Sequence, residues 1–86
     1  MPSALFRWSF HALIEAGRRR IPREVVEWVV RDAQQVVTIN ARREVRQSID
    51  EAGVLVRVIV DIENDPVVIV TAYRTSKVTK YWRCSP

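Results

Sequence analysis

Two spacings of apolar side chains divide this chain near Gln35. Before that point apolar residues recur every three or four positions, and after it they recur every second. Ser9 suits an N-cap, and Phe10, Leu13, Ile14 and Gly17 then fall on one helical face, which predicts a first helix burying that stripe. Gly17 and the three arginines after it end the element. Pro22 fits the opening turn of a second helix, with Glu24 and Glu27 near its positive end and Val25, Trp28, Val29 and Asp32 along one side. "VVTI" (36–39) and "RREVRQSI" (42–49) read as strands. In the second of these, Arg43, Val45, Gln47 and Ile49 share a face. A turn at 50–53 leads into the clearest strand, 54–62, where Val54, Val56, Val58, Val60 and Ile62 alternate with Leu55, Arg57, Ile59 and Asp61. "ENDP" (63–66) is a second turn. Residues 67–73 form another strand, and "KVTKYW" adds a last strand or an ordered tail.

Helices first and strands joined by short turns afterwards predict an α+β chain, a single domain over residues 1–86. Its two N-terminal helices pack on one face of a twisted antiparallel sheet of about four strands. The uniformly apolar row from Val54 to Val60 is the expected core face. The opposite face then carries Arg57, Asp61, Thr71 and Tyr73.

Charge adds a location. The chain has 14 Lys and Arg against 10 Asp and Glu, a net charge of +4. Residues 71–83, "TAYRTSKVTKYWR", contain Arg74, Lys77, Lys80 and Arg83 and no acid, so the formal excess sits in this run. Lys77 and Lys80 are the only lysines. The other cations are arginine, whose guanidinium pairs with phosphate through a rigid fork. Tyr73, Tyr81 and Trp82 lie among them, a composition that suits contact with a stacked polyanion. The plain alternative is a basic sheet end with Trp82 in the core. Cys84 is the only cysteine, so no internal disulfide forms, and a reducing cytoplasm is expected. No leader or membrane span is expected, because "VLVRVIVDI" is broken by Arg57 and Asp61.

Candidate chemistry is narrow. One histidine, one cysteine and scattered acids give no metal-ligand spacing, so neither a metal nor a cofactor is expected. A Gly-rich phosphate loop is also missing. Metal-free cleavage of RNA remains, because RNA carries its own nucleophile and needs from a protein only proton handling and cations on the phosphate. His11 is the single histidine, the side-chain type that titrates near neutrality, though it sits beside the helical stripe where histidines are commonly boundary residues. Arg57, Tyr73, Arg74, Ser76, Lys77 and Tyr81 complete the candidate set.

The stretches "FHALIEAGRRRIPREVVEWVV", "RREVRQS", "VLVRVIVDI" and "VVIVTAYRTSKVTKYW" resemble domain-of-unknown-function family 4258, itself similar to the RelE-like and, distantly, the BrnT toxins. The resemblance covers about residues 9–82. It matches a pattern histidine to His11, an arginine to Arg19, strand positions to Arg43, Gln47, Ser48 and Arg57, and a Tyr-Arg-Thr-Ser-Lys run to residues 73–77. The pattern's usual Arg-Gly is Arg19-Arg20 here, and an aromatic of the second strand is Arg46. A RelE-like fold is thereby implied, with the function of a toxin in a toxin–antitoxin pair acting as a metal-independent endoribonuclease. The implied catalytic residues are His11, Arg57, Tyr73, Arg74 and Lys77. Arg19, Arg43, Gln47, Ser48, Thr75, Ser76 and Tyr81 are implied for substrate binding. RNA, a small antitoxin protein and the ribosome are the implied partners. The alternative is a non-catalytic domain of the same fold that binds RNA or protein.

Overall fold

The change of period at Gln35 is a change of secondary structure in the computed structural model, which describes residues 5–84. The order is β1 (Phe6–Trp8), α1 (Phe10–Arg18), α2 (Arg23–Asp32), β2 (Gln35–Thr38), β3 (Arg43–Ile49), β4 (Leu55–Asp61), β5 (Val67–Thr75) and α3 (Val78–Tyr81). The fold is α+β, as the pattern predicts, but the sheet has five strands and is mixed. Its order is β1-β5-β4-β3-β2, with β1 parallel to β5 and every other pair antiparallel. Three residues are too few to display a period of two, which is why β1 escapes the pattern. The segment expected as a last strand or an ordered tail is not a strand; within it Val78–Tyr81 form the short helix α3. No helix among the described residues is long and apolar enough to cross a membrane.

α1 and α2 share one face of the sheet. Val56, Val58 and Val60 of β4 meet Ala12, Ile21, Val26, Val29 and Val30 there, all nearly or fully buried. On β5 the alternation breaks. Val60 pairs with Ile69 and Ile59 with Thr71, so Val70 is an extra residue, a β-bulge. Ile69 and Ala72 consequently both reach the helix-side core, although strict alternation puts them on opposite faces.

The helical stripes differ most from expectation. α1 begins as predicted, with the Ser9 Oγ accepting from the Ala12 N–H at 3.0 Å. It then buries Ala12, Glu15 and Ala16 and leaves Phe10, Leu13, Ile14 and Gly17 exposed. The reason lies at β5. The Arg19 side chain donates to the Ala72 carbonyl at 2.8 Å, and the Ser9 N–H to the Ile69 carbonyl at 3.1 Å. A helix tied this closely to a strand accepts alanine at the contact and has no room for phenylalanine. In α2 the buried residues are Val26, Val29 and Val30, with Val25 and Trp28 half-buried and Asp32 exposed. That is the expected face turned by one position, which so wide an apolar arc permits.

Arg20 closes α1. The Ile21 N–H donates to the Ala16 carbonyl at 2.9 Å and the Arg20 N–H to the Gly17 carbonyl at 3.2 Å, the paired bonds of a Schellman end. That end needs a left-handed residue, and Arg20 supplies it at φ 55°. Glycine adopts this conformation without the Cβ clash that an L-residue incurs. Arg20→Gly is therefore expected to raise unfolding free energy by about 0.5–1 kcal/mol, read from a urea midpoint at constant slope. An unchanged or lower midpoint would show that Arg20 carries no strain.

Candidate functional site

The other sheet face holds a cationic group that has no counter-charge among the described residues. Arg57 sits mid-strand in β4, half-buried, between Gln47 of β3 and Tyr73 of β5, its partners in register. Its Nε donates to the Gln47 Oε1 at 2.8 Å, and its Nη1 donates to the Tyr73 hydroxyl. The guanidinium carbon lies 4.3 Å from the centre of the Tyr81 ring and 5.7 Å from that of Tyr73. The two rings meet edge to face, with centroids 6.4 Å apart. Among the described residues Arg57 makes no ion pair, and its Nη2 has no hydrogen-bond partner. Four other arginines are paired to carboxylates, whereas Arg74, like Arg57, makes no ion pair among the described residues. Arg18 and Arg19 hold Glu15, Arg42 holds Glu63, and Arg46 holds Glu44.

Gln47 sets the guanidinium's plane. It is fully buried, accepts from Arg57 and donates to the Gln35 Oε1 at 2.8 Å and to the Tyr81 carbonyl at 3.2 Å. Gln35 in turn binds the backbone of Arg83, accepting from its N–H at 3.0 Å and donating to its carbonyl at 2.6 Å. The two glutamines thus fasten the C-terminal segment across this face and bring the Tyr81 ring onto Arg57. Gln35 is not among the expected site residues. Its role depends on the register that sets it opposite Gln47, which the sequence does not print.

Of the expected residues, Arg57, Gln47, Tyr73 and Tyr81 come together. Thr75 ends β5, and Ser76 and Lys77 lead from it to α3; the Thr75 hydroxyl accepts from the Lys77 N–H at 3.0 Å and the Lys77 side chain stays exposed. Arg43 lies on the same face but at the far end of β3, four residues from Gln47, or about 13 Å along a strand. The rest lie elsewhere. Ser48 is buried on the helix side, accepting from the Gln34 N–H at 3.0 Å. Arg74 pairs in register with Val56, on the core side, and donates to the Arg19 and Arg20 carbonyls at 3.2 Å each. Arg19 is occupied by Glu15 and Ala72. His11 is exposed on α1, which packs against the core side, so the sheet separates it from Arg57.

A hollow of about 730 Å³ lies between α2 and the β3–β4 turn, lined by Val25, Trp28, Ile49, Asp50, Glu51 and Ala52. Its two carboxylates give it the wrong sign for a polyanion. The Arg57 face is the cationic site.

No family model, curated protein or solved structure matches this chain. The chemistry of the Arg57 face therefore rests on its own residues. A guanidinium held by neutral oxygens keeps its full charge for a ligand. With one nitrogen unbonded among the described residues and tyrosine rings beside it, it can hold a phosphate oxygen while a base stacks nearby.

Proposed function

We propose that this chain is a RelE-like, metal-independent endoribonuclease, the toxin of a toxin–antitoxin pair. The observation that carries the reading is Arg57, an arginine fixed by Gln47 and Tyr73 and without a carboxylate partner among the described residues. In this mechanism the RNA 2′-oxygen attacks the adjacent phosphorus and its proton passes to solvent. Arg57 binds the non-bridging oxygens as charge builds on them. The P–O5′ bond breaks, and the Tyr73 hydroxyl, which accepts from Arg57 and so keeps its own proton free to give, protonates the leaving 5′-oxygen. Solvent then reprotonates Tyr73. The products are a 2′,3′-cyclic phosphate and a 5′-hydroxyl. Lys77 and Ser76 bind flanking backbone, and Tyr81 offers a base-stacking surface.

The test is incubation of a defined RNA with the purified chain, with and without chelator, followed by end analysis. Equal cleavage in both and a 2′,3′-cyclic end are expected. Loss of cleavage on chelation overturns the mechanism. Intact RNA together with salt-sensitive binding supports the non-catalytic RNA-binding reading, which the engagement of Arg74 and the remoteness of His11 favour.

Binding itself is tested by salt. Affinity for single-stranded RNA should fall linearly on a logarithmic scale as salt rises, through counterion release. Lys77→Ala should lower that slope by roughly one unit times the single-strand factor, because one phosphate is then no longer neutralised. Arg74→Ala should leave the slope in place and lower thermal stability, because Arg74 serves the end of α1. A slope near zero in the unaltered protein removes RNA from the reading.

A further inference from the structure

The outward side of α1 contributes nothing to the core. Phe10 is 78% exposed, Ile14 44% and Leu13 38%. With Gly17 they form one strip on a helical period, directly opposite the buried Ala12 and Ala16. His11 and Arg18, seven residues apart, border the strip, and Arg19 and Arg20 follow its end. Glu15, the acid of this helix, is turned inward, with its side chain 10% exposed and paired to Arg18 and Arg19. The surface is an apolar strip with a basic excess at its C-terminal end, where Arg18, Arg19 and Arg20 outnumber the one Glu15 that two of them share.

We propose that this strip is the docking surface for a protein partner that enters as an amphipathic helix, its apolar row flanked by Asp and Glu. The basic end selects that chemistry. A second copy of this chain would bring the same basic end, because a twofold contact repeats one patch, whereas an acidic helix meets it with the opposite sign. An anionic lipid surface would share the sign but not the shape. A Cβ placed on Gly17 would meet nothing within 4 Å, so the strip is open to solvent at that end. From Phe10 to Gly17 it runs only about 10 Å, two helical turns, which suits a helix laid across it. The inference is independent of the RNA reading, since the sheet stands between α1 and Arg57.

Two synthetic helical peptides test it, sharing leucines at i, i+3, i+4 and i+7, one flanked by glutamate and the other by lysine. Titrated into isotope-labelled protein, the glutamate peptide is expected to shift amide signals from Phe10 to Arg20 and leave those of Arg57 and Tyr73 in place. It should bind about tenfold tighter than the lysine peptide, with the preference fading as salt rises. Phe10→Ser with Ile14→Ser should abolish binding at an unchanged melting temperature, because both side chains are exposed in the fold. Equal affinity for the two peptides, or no shift on α1 at millimolar peptide, overturns the proposal. So does sedimentation with phosphatidylcholine–phosphatidylserine vesicles that the double variant loses, or a dimer that it dissolves.

Discussion

Arg57→Ala should reduce single-turnover cleavage of RNA by about 10²–10³-fold, the usual loss when one fixed donor to a developing oxyanion is removed. The size follows from how the group is held. Gln47 fixes Nε, the Tyr73 hydroxyl fixes Nη1 and the Tyr81 ring covers one face, so the guanidinium is oriented before substrate arrives. Such pre-orientation costs no rearrangement at the moment of reaction. Arg57→Lys is the sharper variant. It keeps the charge, but a lysine ammonium cannot reproduce the planar fork that engages Gln47 and Tyr73 while leaving a third nitrogen for phosphate. It should recover much of the affinity for RNA and little of the rate. Either variant leaves the Gln47 carbonyl without its donor at a fully buried position, so a loss of about 1–3 kcal/mol in stability is expected alongside. Cleavage is therefore compared at a temperature where circular dichroism shows each variant folded. Full activity in folded Arg57→Ala removes this face from the reaction.

The parts of this molecule legible in the sequence are those where one residue's neighbours along the chain decide its environment. The row Val56, Val58, Val60 announces a buried strand face by its period alone, and it is the face on which both helices pack. Ser9 announces a cap, and it caps. The site is half legible for the same reason. Arg57 interrupts an apolar strand and Tyr73 precedes a basic run, so both draw attention before any fold is known. What the sequence hides is pairing. Gln35 gains its role from the β2–β3 register, and Arg74 loses its expected one because the bulge at Val70 and the register with Val56 turn it toward α1. The α1 stripe is the most instructive miss. Its apolar period is real, but period identifies an amphipathic helix and does not say which side the core takes. Ala12 and Ala16 take that side because β5 lies close enough to demand small side chains.

The separation of His11 from Arg57 makes the last expectation specific. Tyr73→Phe should slow single-turnover cleavage by about 10²–10⁴-fold, the range for a positioned general acid or base, while His11→Gln should leave the rate within about twofold. Tyr73→Phe removes one oxygen and keeps the ring, so its edge contact with Tyr81 and its place over β4 survive. The hydroxyl that vanishes is the one Arg57 donates to, and so the one whose own proton is not engaged by that bond. Affinity for RNA should change little, because the phosphate contacts proposed above are Arg57 and the loop at Lys77. A fall in rate at constant affinity is the mark of a group acting in the transition state. His11 lies on the exposed flank of α1, with the sheet between that helix and Arg57. A slow His11→Gln beside a fast Tyr73→Phe would therefore place the chemistry on the helix side and remove the Arg57 face as its seat. A loss in both, at unchanged melting temperature, would require RNA to wrap the sheet edge and meet both faces.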